Sequence, residues 1–188
     1  MTTTRETANL RTAVITELAR RASTSIGRTA IMKLTYFLQT LRDAELGYSF
    51  RLYNYGPYDG QVLEDLKIAE QLGGVHSEEF EWQGGSGYEI KPGVNADDVV
   101  KRAKQQLETL SGDIDWVVKE FANRSASDLE VASTAIYVDR SLRPQKLSIE
   151  DLVARVHAIK RHHSISKIDA EIRRLNDKRF LESIGSEH

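Results

Sequence analysis

Residues 48–91 read YSFRLYNYGPYDGQVLEDLKIAEQLGGVHSEEFEWQGGSGYEIK, and the fold turns on how this stretch divides. Tyr48 to Tyr53 alternates and is rich in aromatics, which reads as a short strand or extended link. Asn54-Tyr55-Gly56-Pro57-Tyr58 is a turn. Gly56 can take a positive φ, and Pro57 fixes φ at a value suited to opening a helix. That helix runs to about Leu72 with Val62, Leu66 and Ala69 inward, and Gly73-Gly74 ends it. Val75–Trp82 and Tyr88–Lys91 flank Gln83-Gly84-Gly85-Ser86-Gly87, a β-hairpin signal. Phe80 with Trp82, and Tyr88 with Ile90, are expected to line one face of it.

Outward from this segment the chain is helical. Leu10, Val14, Ile15 and Leu18 recur at helical spacing and predict a first helix over about 7–22, with Thr7 as its cap. Ile31, Leu34, Phe37, Leu38 and Leu41 stripe a second over about 27–45, stopped by Gly47. C-terminal to the hairpin, Asn95 caps a fourth helix, and Ser111-Gly112 separates it from a fifth. Ser127 with Glu130 and Ser148 with Asp151 resemble capping boxes for a sixth and a seventh. Ser164 or Ser166 opens an eighth. The order helix, helix, short strand, helix, hairpin is that of a winged helix. The expected fold is therefore mainly α. A winged-helix-like core with one hairpin occupies residues 1–94. A helical bundle over 95–188 packs on it, the two forming one compact body with Leu34, Phe37, Leu38, Leu66 and Ile90 in its core.

The 188 residues include no cysteine, which excludes disulfides, thiolate metal sites and a cysteine nucleophile. No apolar run reaches the roughly 18–20 residues of a membrane span. Met1 to Asn9 is polar and lacks a signal-peptide core, so a cytoplasmic location is expected. The net charge of -2 is unevenly spread. Residues 1–58 carry +4, residues 59–98 carry -8, residues 99–154 carry -1 and residues 155–188 carry +3. The acidic stretch coincides with the elements that touch DNA in a winged helix. The third helix is expected to expose Glu64, Asp65 and Glu70, and the hairpin Glu78, Glu79, Glu81 and Glu89. Each acid beside a phosphate adds repulsion instead of releasing counterions. A basic protein partner suits this face better.

Catalytic signatures are missing. Gly84-Gly85-Ser86-Gly87 lacks the Lys-Ser/Thr ending and following helix of a phosphate loop. His162-His163 is the one close histidine pair, neighbouring side chains on a helix diverge, and the pair reads as a solvated link between helices, so no metal site is expected. No nucleophile with its base and no carboxylate pair is visible, so the chain reads as a non-enzyme without cofactors. Lys160, Arg161, Lys167, Arg173, Arg174, Lys178 and Arg179 make the C-terminal helices basic. They read as a solvated face or as a contact for nucleic acid or an acidic partner.

Lys33-Leu34-Thr35-Tyr36-Phe37-Leu38-Gln39, then Tyr55-Gly56-Pro57-Tyr58, Asp65-Leu66 and Leu72-Gly73-Gly74-Val75, resemble the Panacea domain. This is the SocA-like antitoxin family with its uncharacterised bacterial relatives. The resemblance covers roughly residues 25–92, and its most specific part is Lys33, Leu34 and Tyr36 followed by Tyr55, Gly56 and Pro57. It implies a mostly helical protein that neutralises a toxin encoded beside it, or an adaptor presenting one to a protease, with phage-defence associations. The turn at 55–58 is then either a rigid corner whose aromatics pack on the second helix or a partner-facing loop with Tyr58 and Asp59 exposed. The candidate partner contacts are Tyr58, Asp59, Glu64, Asp65, Glu78 and Glu81. The expected function is a non-catalytic protein-binding module, and the alternative is a winged-helix nucleic-acid-binding regulator.

Overall fold

The helical stripes and the hairpin signal both appear in a computed structural model, which describes residues 4–83 and 85–184, Trp82 by its backbone alone. Among these residues the chain forms eight helices and two two-stranded antiparallel sheets. In chain order they are α1 (Thr4–Arg21), α2 (Arg28–Leu41), β1 (Arg51–Tyr53), β2 (Gly56–Tyr58), α3 (Gly60–Gln71), β3 (Val75–Trp82) and β4 (Gly85–Pro92). Then come α4 (Ala96–Lys101), α5 (Lys104–Phe121), α6 (Ala126–Ser141), α7 (Ile149–Ile159) and α8 (Ile165–Asp177). They fall into two compact units. The first holds residues 1–50 and 59–124, and the second holds 51–58 and 125–188. Helices α4 and α5, grouped by sequence with the C-terminal half, thus belong to the first unit. No described helix is long and apolar enough to cross a membrane.

In the first unit the stripes of α1, α2, α3 and α5 bury Val14, Ile15, Leu18, Leu34, Phe37, Leu38, Val62, Leu66 and Val117. Phe37 stacks on Phe121 with ring centroids 4.1 Å apart. All five side chains expected in the core, including Ile90 of β4, are buried. Ser111-Gly112 does not interrupt a helix: α5 runs through it and the break falls at Arg102-Ala103. Gly112 faces open space, so it costs α5 only propensity, and the Ser111 carbonyl and hydroxyl accept hydrogen bonds from Arg21 Nη1.

The β3–β4 hairpin is in place, but its aromatics do not share a face. The register pairs Phe80 with Gly87 and Tyr88 with Glu79, and opposed residues in an antiparallel ladder point to the same side. Tyr88 and Ile90 therefore lie with Val75 and Ser77, and Phe80 lies on the other side and is exposed. The Trp82 side chain and Gly84, the first residue of the glycine-rich turn motif, lie outside the described residues. The Arg28 guanidinium covers the Tyr88 ring at 3.3 Å.

The segment after α2 is not a lone strand. Arg51–Tyr53 pairs with Gly56–Tyr58, making a second small hairpin around Asn54-Tyr55. A different residue reaches the larger hairpin: Ile26, between α1 and α2, bridges Ile90, whose N–H donates to the Ile26 carbonyl at 2.9 Å.

In the second unit α6, α7 and α8 bury Leu129, Ile136, Leu152, Val156, Ile168, Ile172 and Leu175. Ser148 caps α7 as its spacing predicts, and of the two serines expected to open α8 it is Ser164 that caps it. For α6 the cap is Ser125, which accepts from the Asp128 N–H, and not Ser127. Asp139, fully buried, accepts from the backbone N–H groups of Glu182 and Ser183 and from the Ser183 hydroxyl. It thereby fastens the chain after α8 to α6. Gly56 sits at φ +90, as a turn glycine should. Gly56→Val should cost about 1–3 kcal/mol, because a β-branched residue is strained there. Urea unfolding checks this, and an unchanged midpoint would count against the strain.

Candidate functional site

The β1–β2 hairpin presents three tyrosines to solvent. Period-2 alternation would hide every second residue of a strand in a sheet covered on one face. Here the strands are three residues long, and only Gly56 and Pro57 are buried, so the aromatics project outward. Tyr53 is 68% exposed, Tyr55 71% and Tyr58 40%. The Tyr53 and Tyr58 rings lie against each other with centroids 5.8 Å apart. Tyr55 and Tyr58 are thus exposed, as in the second reading of the 55–58 turn, while Asp59, expected to be exposed with them, is half-buried. An open pocket of about 620 Å³ adjoins the hairpin, lined by Leu52, Tyr53, Asn54, Tyr55, Ile159 and His162.

Behind this pocket lies a charged cluster that holds the turn between α7 and α8. Lys160 is the first residue after α7 and has no solvent exposure. Its ammonium stands 2.8 Å from Glu130 Oε1 and donates a hydrogen bond to the Asn54 carbonyl. His162 Nε2 is 3.1 Å from Glu130 Oε1, and His163 Nε2 is 3.6 Å from Oε2. The imidazole centroids are 4.2 Å apart. Burial pushes the Glu130 carboxyl up, but Lys160 and the two imidazoles outweigh it and hold its pKa below the usual range. Burial lowers the His163 pKa, against the opposing pull of Glu130.

One expectation from the sequence fails here and one holds, each for a physical reason. Glu130 is not half of a capping box. With Ser125 as cap, Glu130 lies in the second turn of α6, and Ser127 instead accepts from Lys167 Nζ at 2.7 Å. The link between helices expected for His162 and His163 is where they are. They lie between α7 and α8, where their rings turn toward one carboxylate instead of diverging. The signal was present in Ser164: a helix capped there leaves residues 162 and 163 outside it.

The six expected partner contacts divide between the units, Tyr58 falling in the second and the other five in the first. Asp59 is the α3 cap, accepting from the N–H groups of Gln61 and Ser49. Asp65 is not exposed. It is buried and accepts from the Tyr48 hydroxyl and Gln61 Nε2, both at 2.9 Å, with Arg11 Nη1 at 3.9 Å. Glu64, Glu78 and Glu81 are exposed, Glu78 with the Lys91 ammonium at 3.1 Å. Of the motif residues, Lys33, Leu34, Tyr36, Gly56 and Pro57 are buried, and Tyr55 is exposed. The basic C-terminal helices are largely matched by carboxylates. Lys160 pairs with Glu130, Lys167 with Asp128, Arg173 with Asp169 and Glu150, and Arg174 with Glu171.

No family model matches this sequence, and no curated protein matches it.

Two outcomes follow from this electrostatics. Lys160→Ala strands a buried carboxylate and should cost about 3–5 kcal/mol, while a Lys160→Met/Glu130→Leu pair should recover most of the loss. Burial raises the Asp65 pKa above its ordinary 3.8, against hydrogen bonds from Gln61 and Tyr48 that lower it. The folded state then holds the Asp65 proton more tightly than the unfolded state. This contribution is fully present below the ordinary value and is lost as pH rises through the folded one. Asp65→Asn should flatten that fall in urea titrations run from about pH 4 to about pH 7.

Proposed function

We propose that this chain is a protein-binding module of the antitoxin-like or adaptor kind, working by association and not by turnover. The observation that carries this reading is the exposed tyrosine hairpin at 51–58. Three aromatic side chains exposed on a two-stranded turn add no core, and tyrosine is over-represented among the residues that dominate interfaces. The hairpin is tied down by Lys160 through Asn54, so little ordering entropy remains to be lost on binding. Ile159, exposed in the same pocket, adds an aliphatic contact.

The partner this surface suits is basic. Arginine and lysine stack on tyrosine faces. In the first unit Glu64, Glu79 and Glu81 are exposed and belong to a stretch carrying -8, a field that draws in a cationic protein. The Panacea resemblance points the same way, toward neutralising or presenting a neighbouring gene's product in a toxin–antitoxin or phage-defence system.

A second reading, a nucleic-acid-binding winged helix, has one observation in its favour. Helices α1, α2 and α3 pack together in the first unit, and Ile26 adds a third edge to the β3–β4 hairpin, an arrangement a winged helix would have. The charge of α3 and β3 opposes phosphate contact, and the cations of α8 are already matched. The test is binding to the purified product of the adjacent gene. Tyr53→Ala/Tyr55→Ala should weaken it by about 30-fold or more with the fold unchanged. Glu79→Lys/Glu81→Lys should slow association and reduce its salt dependence. Tight duplex-DNA binding at physiological salt, lost on changing α3, would favour the second reading instead.

A further inference from the structure

Glu130, His162 and His163 each offer a ligand atom, and these atoms lie within 4.8 Å of one another. The closer separations are informative. His162 Nε2 to Glu130 Oε1 is 3.1 Å and His163 Nε2 to Oε2 is 3.6 Å. Ligands about 2.0–2.2 Å from a tetrahedral zinc ion stand about 3.3 Å from each other, and each imidazole nitrogen lies near that distance from one oxygen of the Glu130 carboxylate, His162 from Oε1 and His163 from Oε2. A second observation is independent of that spacing. His163 Nε2 is buried and has no hydrogen-bond partner among the described residues, and 3.6 Å is too far for it to bond Glu130 directly. A buried ring nitrogen that faces a carboxylate across that gap lacks a group to satisfy it.

Lys160 does not fill this gap. It is fully buried and reaches Glu130 Oε1 while also donating to the Asn54 carbonyl, so it fixes the carboxylate as outer-shell donors do around metal ligands. His162, by contrast, lines the open pocket beside Tyr53 and Tyr55. We propose that Glu130, His162 and His163 form a binding site for a divalent transition-metal ion of the zinc class, with three protein ligands and an open fourth position on the side of the tyrosine pocket. Two imidazoles and one carboxylate are the donor types zinc accepts, and a three-ligand set leaves room for water or an incoming side chain. This inference stands whether or not the tyrosine surface binds a protein.

The test uses the untagged 188-residue chain titrated with Co²⁺ and followed by d–d absorption, then with Zn²⁺ by calorimetry. The expected result is one ion per chain with the intense bands of four-coordinate cobalt, displaced by zinc. His162→Gln/His163→Gln should lower the affinity at least tenfold, while His76→Gln/His157→Gln should leave it unchanged. Should the first pair fail to fold, zinc-induced shifts of the His162 and His163 imidazole resonances in the unaltered protein decide the matter. Absence of saturable binding, binding that survives loss of both histidines, or shifts confined to other histidines would overturn the proposal.

Discussion

A lysine ammonium with no solvent exposure has to be matched at once by charge and by hydrogen bonding, and in the second unit Lys160 imposes that condition on three segments. Glu130 supplies the charge from the second turn of α6, and the Asn54 carbonyl supplies an acceptor from the turn of β1–β2. Leaving either ion buried alone would cost several kcal/mol, a large share of a typical domain's stability. The pair therefore fixes where residues 51–58 sit against α6 and the α7–α8 turn. Both the exposure of the tyrosines and the convergence of the histidines follow from that placement.

The hairpin cannot hold this position unaided. A two-stranded ribbon of three residues a side is marginal in water, and its outward tyrosines contribute no core. Burial of Gly56 and Pro57 anchors one strand, and the Lys160 hydrogen bond anchors the connection. In the first unit the corresponding work is done by apolar packing. The Phe37–Phe121 stack and the apolar stripes of α1 and α2 fill its core, with buried Asp65 held by Tyr48 and Gln61 at its side.

Much of the fold was legible in the sequence because periodicity reports burial directly. Leu34, Phe37, Leu38, Leu66 and Ile90 are in the core, Ser148 caps the helix its spacing predicts, and one of the two serines expected at α8, Ser164, caps that helix. The split of the hairpin faces was not, because alternation along one strand says nothing of the register across two. The candidate site was largely hidden. Ser125-Ala126-Ser127-Asp128-Leu129-Glu130 holds two overlapping capping boxes, and choosing the later one assigns Glu130 to a backbone N–H instead of to Lys160. Asp65 misled in the opposite way. It looks like one more surface acid on α3, and only the fold brings Tyr48 and Arg11 to it. A charged residue's burial depends on partners distant in the chain, which no local pattern carries.

The central claim is that the Lys160–Glu130 pair positions the tyrosine hairpin. Hydrogen exchange at the amides of residues 51–58, compared between the unaltered protein and Lys160→Met/Glu130→Leu, tests it most directly. Protection at 51–58 should fall by more than tenfold while amides of α1 and α2 exchange as before, since local opening follows the loss of local anchors. Unchanged protection at 51–58 in a folded double variant would contradict the account.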